Sequence, residues 1–202
     1  MSAAKIKICG LSRLEDIEAV NRVMPEYAGF VFAQSRRQID PINARRLKEK
    51  LDSRITAVGV FVNAPIDFIA NLYEQEIIGL AQLHGDEDDT YIKNLRLACS
   101  CKIIKAVGVG SELPVLPKTA DYLLFDKASK QRGGTGESLN WSLLAGYQGT
   151  PYFLAGGLSP NNVGDALKGL MPYGVDVSSG VETDGFKDPR KIDLFIQRAR
   201  KQ

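Results

Sequence analysis

The chain has 202 residues, 44% of them hydrophobic, which is enough for one domain with a substantial core. With 26 basic and 24 acidic residues, its formal net charge is +2, and the basic residues are spread along the chain, which argues against nucleic-acid binding. No signal-peptide pattern and no apolar run of the ~18 residues needed to cross a bilayer is present, so we expect a cytoplasmic protein without membrane attachment.

Eight short apolar runs predict β-strands, and their starts lie about 20 to 30 residues apart. The runs are continuously apolar rather than alternating, which is typical of strands buried on both faces of a parallel sheet. In chain order they cover residues 5–9, 27–33, 56–62, 78–84, 102–109, 122–126, 152–156 and 174–178.

The segments between these strands carry helix start signals. Ser12 and Glu15 predict a capping box after the first strand. Asp40-Pro41, Ser159-Pro160 and Asp188-Pro189 each place a capping side chain before a proline at the first helical position. Four apolar residues predict the buried face of the last helix: Ile192, Phe195, Ile196 and Ala199.

Strands that alternate with helices predict an α/β fold, a (βα)8 barrel in a single catalytic domain over residues 1–202. A doubly wound open sheet is the alternative, because the pattern by itself does not show that the sheet closes. In a barrel the functional site lies at the carboxyl ends of the strands, so residues that follow the predicted strands are the candidates.

Cys9 and Asp126 each end a predicted strand. A free thiol titrates near about 8.5, and the start of the following helix would lower the pKa of Cys9 and favour the thiolate, which is a competent base. Burial would raise the pKa of Asp126 and let it hold a proton near neutral pH. The alternatives are a small buried hydrophobe for Cys9, and a helix cap or a partner of Lys127 or Lys130 for Asp126.

Two glycine-containing loops predict a phosphate site after the last two strands. Gly156 and Gly157 follow the seventh strand, and Ser178-Ser179-Gly180 follows the eighth. Glycines let backbone N–H groups approach an anion, and barrels of this kind often bind phosphate at these two places, although such glycines also occur in ordinary turns. We predict a phosphorylated small molecule on Gly157 and Ser179–Gly180, with few cationic side chains around it.

Three further segments fall near strand ends. Arg36 or Arg37, after the second strand, could hold a substrate carboxylate, unless both are only solvated. His84, the single histidine, either lines the site or makes structural hydrogen bonds. The glycine-rich segment from Arg132 to Gly136 predicts a lid over Asp126.

The remaining cysteines form a Cys99-x-Cys101 motif. An odd total of three cysteines without regular spacing argues against a disulfide framework and for a reducing compartment. No histidine lies close enough in sequence to complete a zinc site, so we expect no metal.

These motifs resemble those of the phosphoribosylanthranilate isomerase family of tryptophan biosynthesis. The similar stretches run in order along essentially the whole chain: Lys7 to Gly10, Gly29 to Phe32 with Ser35 to Arg37, Gly59 to Val62, Gln82 to Gly85, Ile104 to Val107, Asp126, Gly133 to Gly136, Trp141, Ala155 to Leu158 with Pro160, Asn162 and Val163, and Asp176 to Glu182.

The resemblance implies a (βα)8 barrel that converts N-(5-phosphoribosyl)anthranilate into 1-(2-carboxyphenylamino)-1-deoxyribulose 5-phosphate without a cofactor, as a monomer or homodimer. It assigns Asp126 as general acid, Cys9 as general base and Arg37 as the contact of the anthranilate carboxylate, with Arg36 as a possible substitute. Asp176 falls within the last matching motif and joins the predicted site.

Three other functions compete with this one. A sister isomerase of histidine biosynthesis performs the same rearrangement, but it has an aspartate where Cys9 stands. A Schiff-base aldolase would need a lysine inside the barrel, and Lys105 is the only attractive candidate in the sequence. A barrel that binds a phosphorylated ligand without turnover would not need both proton-transfer groups.

Overall fold

The computed structural model describes residues 3–128 and 140–201, in which eight parallel strands form a closed barrel in sequence order. Strand β1 pairs with both β2 and β8, so the sheet closes and the open-sheet alternative is wrong. The strands are β1 (Lys5–Cys9), β2 (Tyr27–Val31), β3 (Thr56–Phe61), β4 (Leu80–Leu83), β5 (Lys102–Val109), β6 (Tyr122–Lys127), β7 (Tyr152–Leu154) and β8 (Gly174–Val177). A short hairpin of β9 (Glu182–Thr183) and β10 (Phe186–Lys187) follows.

Six α-helices cover the barrel in the described part of the chain: α1 (Leu14–Val23), α2 (Pro41–Lys50), α3 (Ile66–Glu74), α4 (Asp89–Ala98), α5 (Val163–Lys168) and α6 (Pro189–Arg200). Residues 110–121, which join β5 to β6 and are all described, form no helix. Pro114 and Pro117 interrupt helical hydrogen bonding there, and Leu113 and Leu116 pack on the core instead. One 3-10 turn, Trp141–Leu144, precedes β7. The predicted lid, Arg132 to Gly136, lies outside the described residues.

Two of the four predicted helix starts are confirmed. Asp40 accepts a hydrogen bond from the N–H of Asn43 at 2.9 Å, and α2 begins at Pro41. Asp188 caps α6 in the same way, and α6 begins at Pro189. Its predicted buried face, Ile192, Phe195, Ile196 and Ala199, is confirmed as well. A capping carboxylate followed by proline is therefore a sufficient local signal in this chain.

The other two predicted starts are wrong by one to three residues. Asp16, not Glu15, accepts the N–H groups of Ser12 and Arg13, at 2.9 and 3.1 Å, and α1 begins at Leu14. Helix α5 begins at Val163, because the chain first forms a turn that follows Ser159. Both differences arise from side chains that bind backbone groups just before the helix.

Alternation along the strands separates an inner core from an outer one. The inner core lies inside the barrel and consists of Val58, Leu80, Ile104, Leu124, Phe153 and Ala155, with tyrosines packed against it. The outer core lies between the strands and the helices. In residues 3–128 and 140–201, no helix has the length and apolar character that a bilayer crossing requires. The polar side chains of the interior lie toward the carboxyl ends of the strands, where they line a cavity.

Candidate active site

A cavity of about 470 Å³ opens at the carboxyl ends of the strands. Nine of the predicted site residues line it: Cys9, Arg37, His84, Asp126, Gly156, Gly157, Asp176, Ser178 and Ser179. Arg36 and Gly180 lie outside the lining. Cys9 on β1 and Asp126 on β6 are separated by two intervening strands in the closed barrel, so the fold brings these residues, distant in sequence, to one cavity.

Cys9 is the last residue of β1, and its side chain is 6% exposed. Burial raises the pKa of its thiol, and the nearby Lys7 ammonium only partly opposes this rise. The predicted lowering by the start of α1 is wrong. The Asp16 carboxylate occupies that helix terminus and balances its partial positive charge.

Lys7 is a buried charge beside Cys9 and is not among the predicted site residues. Its side chain is fully buried, and its ammonium donates a hydrogen bond to Asp176 Oδ1 at 2.8 Å. Burial alone would lower the pKa of Lys7, but Asp176 and Cys9 raise it above the ordinary value. Lys7 and Cys9 are two residues apart on one strand and so share its inward face, which is the sequence signal that could have identified Lys7.

Lys105, the predicted barrel lysine, has a different place. Its ammonium donates to the carbonyl oxygen of Gly85 at 2.8 Å and to Glu87 Oε2 at 3.0 Å. It shares one face of β5 with Ile103 and Val107, which belong to the outer core. Lys105 therefore joins β5 to the β4 loop on the outer side of the sheet, and it is wrong as a candidate for Schiff-base chemistry inside the barrel.

Asp126 lies near the end of β6, and its carboxylate accepts a hydrogen bond from the N–H of Lys127 at 2.8 Å. Its side chain is 35% exposed, so the burial that the sequence predicted is only partial. His84 Nε2 lies 3.6 Å from Asp126 Oδ2, and His84 Nδ1 lies 3.0 Å from Gln82 Nε2. With Gln82 as donor, Nε2 carries the imidazole proton and faces Asp126.

Glu182 binds both candidate arginines. Arg37 donates from Nε and Nη2 to the two carboxylate oxygens at 2.6 and 2.9 Å, and Arg36 donates to Oε2 at 2.7 Å. Burial alone would raise the pKa of Glu182, but its hydrogen bonds with Arg37 and Lys187 lower it. Arg37 lines the cavity, whereas the Arg36 side chain is 59% exposed. Glu182 thus fixes Arg37 at the cavity wall.

The loops after β7 and β8 meet at the cavity. Gly156 and Gly157 have φ values of 78° and 80°, which few residues other than glycine adopt. A Cβ atom on Gly180 would lie 1.9 Å from the carbonyl oxygen of Leu158, so only glycine allows this close approach. Asn162, which the sequence analysis left without a role, holds the β7 loop by donating to the carbonyl oxygen of Gly157 at 3.0 Å.

The N–H groups of Gly157, Ser179 and Gly180 donate no hydrogen bond to another described residue. Gly157 and Ser179 line the cavity, so their N–H groups are available to an anion there. Lys187 lies near the β8 loop, where its ammonium donates to the carbonyl oxygen of Ser178 at 3.0 Å and to Glu182 at 2.7 Å. It does not line the cavity. Burial lowers the pKa of Lys187, against the opposing effect of Glu182.

Comparisons with known proteins agree on one family. A family model described as N-(5'phosphoribosyl)anthranilate (PRA) isomerase matches residues 6–198. The chain is 49% identical over 189 residues to the N-(5'-phosphoribosyl)anthranilate isomerase of Endomicrobium trichonymphae, covering 93% of this chain and 94% of that relative.

Solved structures give the same result. The phosphoribosyl anthranilate isomerase of Thermotoga maritima superposes with a TM-score of 0.86 at 33% identity, covering 98% of this chain and 100% of that one. A phosphoribosyl anthranilate isomerase in complex with reduced 1-(o-carboxyphenylamino)-1-deoxyribulose 5-phosphate has a TM-score of 0.81 at 31% identity, with the same coverage.

Proposed function

The chain belongs to the N-(5'-phosphoribosyl)anthranilate isomerase family, and we propose that it catalyses the Amadori rearrangement of N-(5-phosphoribosyl)anthranilate in tryptophan biosynthesis with Cys9 as base and Asp126 as acid. One observation carries the assignment of roles: the thiol and the carboxyl group open onto the same cavity. Together they can remove and deliver protons without a cofactor.

The reaction begins when Asp126 protonates the ribose ring oxygen, and the ring opens to a protonated Schiff base. Cys9 then removes the proton from C2 and gives an enolamine, which tautomerises to the product ketone. The base must be a thiolate, yet burial raises the pKa of Cys9. Lys7 supplies a positive charge that partly offsets this rise, and its ammonium donates a hydrogen bond to Asp176.

The cavity offers different chemistry to the two ends of the substrate. The free N–H groups of the β7 and β8 loops suit the phosphate. Arg37 suits the anthranilate carboxylate, and an apolar wall that includes Val31 and Val60 suits the aromatic ring. The substrate would then lie across the carboxyl ends of the strands, with its ribose between Cys9 and Asp126.

Two competing functions fit these residues less well. The histidine-pathway isomerase has an aspartate where this chain has Cys9. A Schiff-base enzyme needs an uncharged lysine as nucleophile, and Lys7, a lysine inside the barrel, is paired with Asp176 and has a raised pKa. The proposal also includes a cytoplasmic location and either a monomer or a homodimer, which sedimentation of the purified protein would distinguish.

A fluorescence assay that follows the loss of phosphoribosylanthranilate tests the proposed activity. We expect turnover without added metal or cofactor, and inactive protein that still binds the reduced product analogue would instead indicate a binding protein.

A crystal structure with that analogue tests the proposed orientation of the substrate in the cavity. We expect the phosphate on Gly157 and Ser179–Gly180, and phosphate bound at Arg36 and Arg37 would mean that the substrate lies the other way round.

A further inference from the structure

Cys99 and Cys101 form a close pair of thiols at the joint between α4 and β5. Their Sγ atoms are 3.3 Å apart, and neither residue is in a disulfide. Cys99 ends α4 in an extended conformation, with φ −153° and ψ 156°. Side chains two residues apart in an extended chain lie on the same side. The backbone therefore presents both sulfur atoms together.

The two thiols have unequal surroundings. Cys101 is 1% exposed, and burial, followed by its hydrogen bond and charge interaction with Cys99, raises its pKa to about 12. Cys101 thus holds its proton, and its Sγ lies within hydrogen-bond distance of the Sγ of Cys99, whose side chain is only partly buried. A more accessible sulfur beside a protonated buried one is the arrangement of an attacking and a resolving thiol.

We propose that Cys99 and Cys101 are a reversible dithiol site that reacts with small-molecule disulfides in preference to Cys9. The Cys99 thiolate attacks one sulfur of the small disulfide, forms a mixed disulfide and releases one thiolate. Cys101 gives its proton to that thiolate and attacks Sγ of Cys99, which expels the second thiolate. The two cysteines are oxidised by two electrons, and the small disulfide is reduced to two thiols.

Only one residue, Ser100, separates the two cysteines. A disulfide across so short a loop has little freedom to reach relaxed geometry, so it is easily reduced by free thiols. This makes the site reversible rather than a permanent crosslink.

Cys9 opens onto the cavity, but burial raises the pKa of its thiol, so it is less often the thiolate that attacks a disulfide. It is almost fully buried at the carboxyl end of β1. The cysteine pair lies instead before the first residue of β5, at the amino end of that strand. Neither Cys99 nor Cys101 lines the cavity. A disulfide between Cys99 and Cys101 should therefore leave the catalytic residues in place.

The test is to treat the native protein with oxidised glutathione, quench it with acid, unfold it and count the free thiols. We expect the count to fall from three to one. Peptide mapping should show a link between Cys99 and Cys101 and a free Cys9, with turnover of phosphoribosylanthranilate unchanged. Dithiothreitol should restore all three thiols.

Two single variants serve as matched controls. Cys101→Ser should stop at a stable mixed disulfide on Cys99, because the resolving thiol is missing, whereas Cys99→Ser should leave Cys101 reduced. The proposal is overturned if the wild type keeps all three thiols, stops at the mixed disulfide, or loses Cys9 first. These readouts count thiols and do not depend on whether the protein catalyses the proposed reaction.

Discussion

The two ends of the barrel interior are built by the same alternation of side chains along the strands, but one end is packed with aromatic residues and the other opens into a cavity. At the amino end, Tyr27, Tyr122 and Tyr173 pack on Phe153, and the Tyr27 and Tyr173 hydroxyls are 2.8 Å apart. At the carboxyl end, the inward positions include Cys9, Asp126 and Asp176, and the N–H groups of Gly157 and Ser179 donate no hydrogen bond to another described residue. The first end is packed for stability and the second is left open for a ligand. Substitutions at the amino end should therefore change stability more than activity, and substitutions at the carboxyl end should change activity more than stability.

The largest effect is expected for the two proton-transfer groups. Cys9→Ser and Asp126→Asn should each lower kcat by at least ~10², the lower range for loss of a general acid or base. Both substitutions nearly conserve volume, so urea unfolding should stay close to that of the wild type. Turnover near the wild-type level in either variant would remove that residue from the mechanism.

Lys7→Met should make the activity more dependent on high pH. Because burial raises the pKa of Cys9, kcat/KM of the wild type should rise with pH through an alkaline range. Loss of the Lys7 charge should raise that pKa further and move the rise to still higher pH. At neutral pH we expect kcat/KM to fall at least ~10-fold, since each unit by which the pKa of Cys9 rises reduces the thiolate fraction at a fixed pH about tenfold.

Asp176→Asn is the matched control for Lys7, because the Asp176 charge raises the pKa of Cys9. Alkylation of Cys9 by iodoacetamide, quantified by peptide mapping across pH, reports the thiolate without turnover. The alkylation profile should move to lower pH in Asp176→Asn and to higher pH in Lys7→Met. Lys187, the other charged group acting on Cys9, stays the same in both variants. Unchanged profiles would show that Lys7 has only a structural role.

Arg37→Ala should raise KM by about tenfold and leave kcat largely unchanged, because its guanidinium is proposed to hold the carboxylate in both ground and transition states. Arg36→Ala is the natural control, since both arginines bind Glu182 but only Arg37 lines the cavity. Its KM should stay close to that of the wild type. The reverse result would assign the carboxylate to Arg36.

The smallest effect on activity is expected at the amino end. Tyr27→Phe removes the hydroxyl contact with Tyr173 and should lower the free energy of unfolding by about 1 kcal/mol, measured by urea denaturation. Its kcat/KM should equal that of the wild type. A marked loss of activity would mean that the two ends of the interior are coupled.

Most of the fold could be predicted from local patterns. The eight apolar runs correspond to β1 through β8, and the Asp40-Pro41 and Asp188-Pro189 signals place two helices correctly. Between β5 and β6 the expected alternation fails, because the prolines at 114 and 117 prevent a helix. That signal was present in the sequence, but the regular spacing of strands outweighed it.

The site was predictable in its members but not in its electrostatics. Nine of the residues predicted from strand-end position and motif resemblance line one cavity. Lys7 and Glu182 received no roles, because their importance depends on partners at the far end of the chain or in another loop. The predicted burial of Asp126 is only partial, since exposure depends on what packs around a residue.

The strands, two helix starts and the chemical types at the strand ends follow from local sequence, because they depend on neighbours a few residues apart. Tertiary structure alone decided that β1 meets β8, that Asp176 pairs with Lys7, and that the pKa of Cys9 is raised rather than lowered. A pKa depends on the loss of water and on all nearby charges. Those quantities exist only once strands distant in sequence have closed into a barrel.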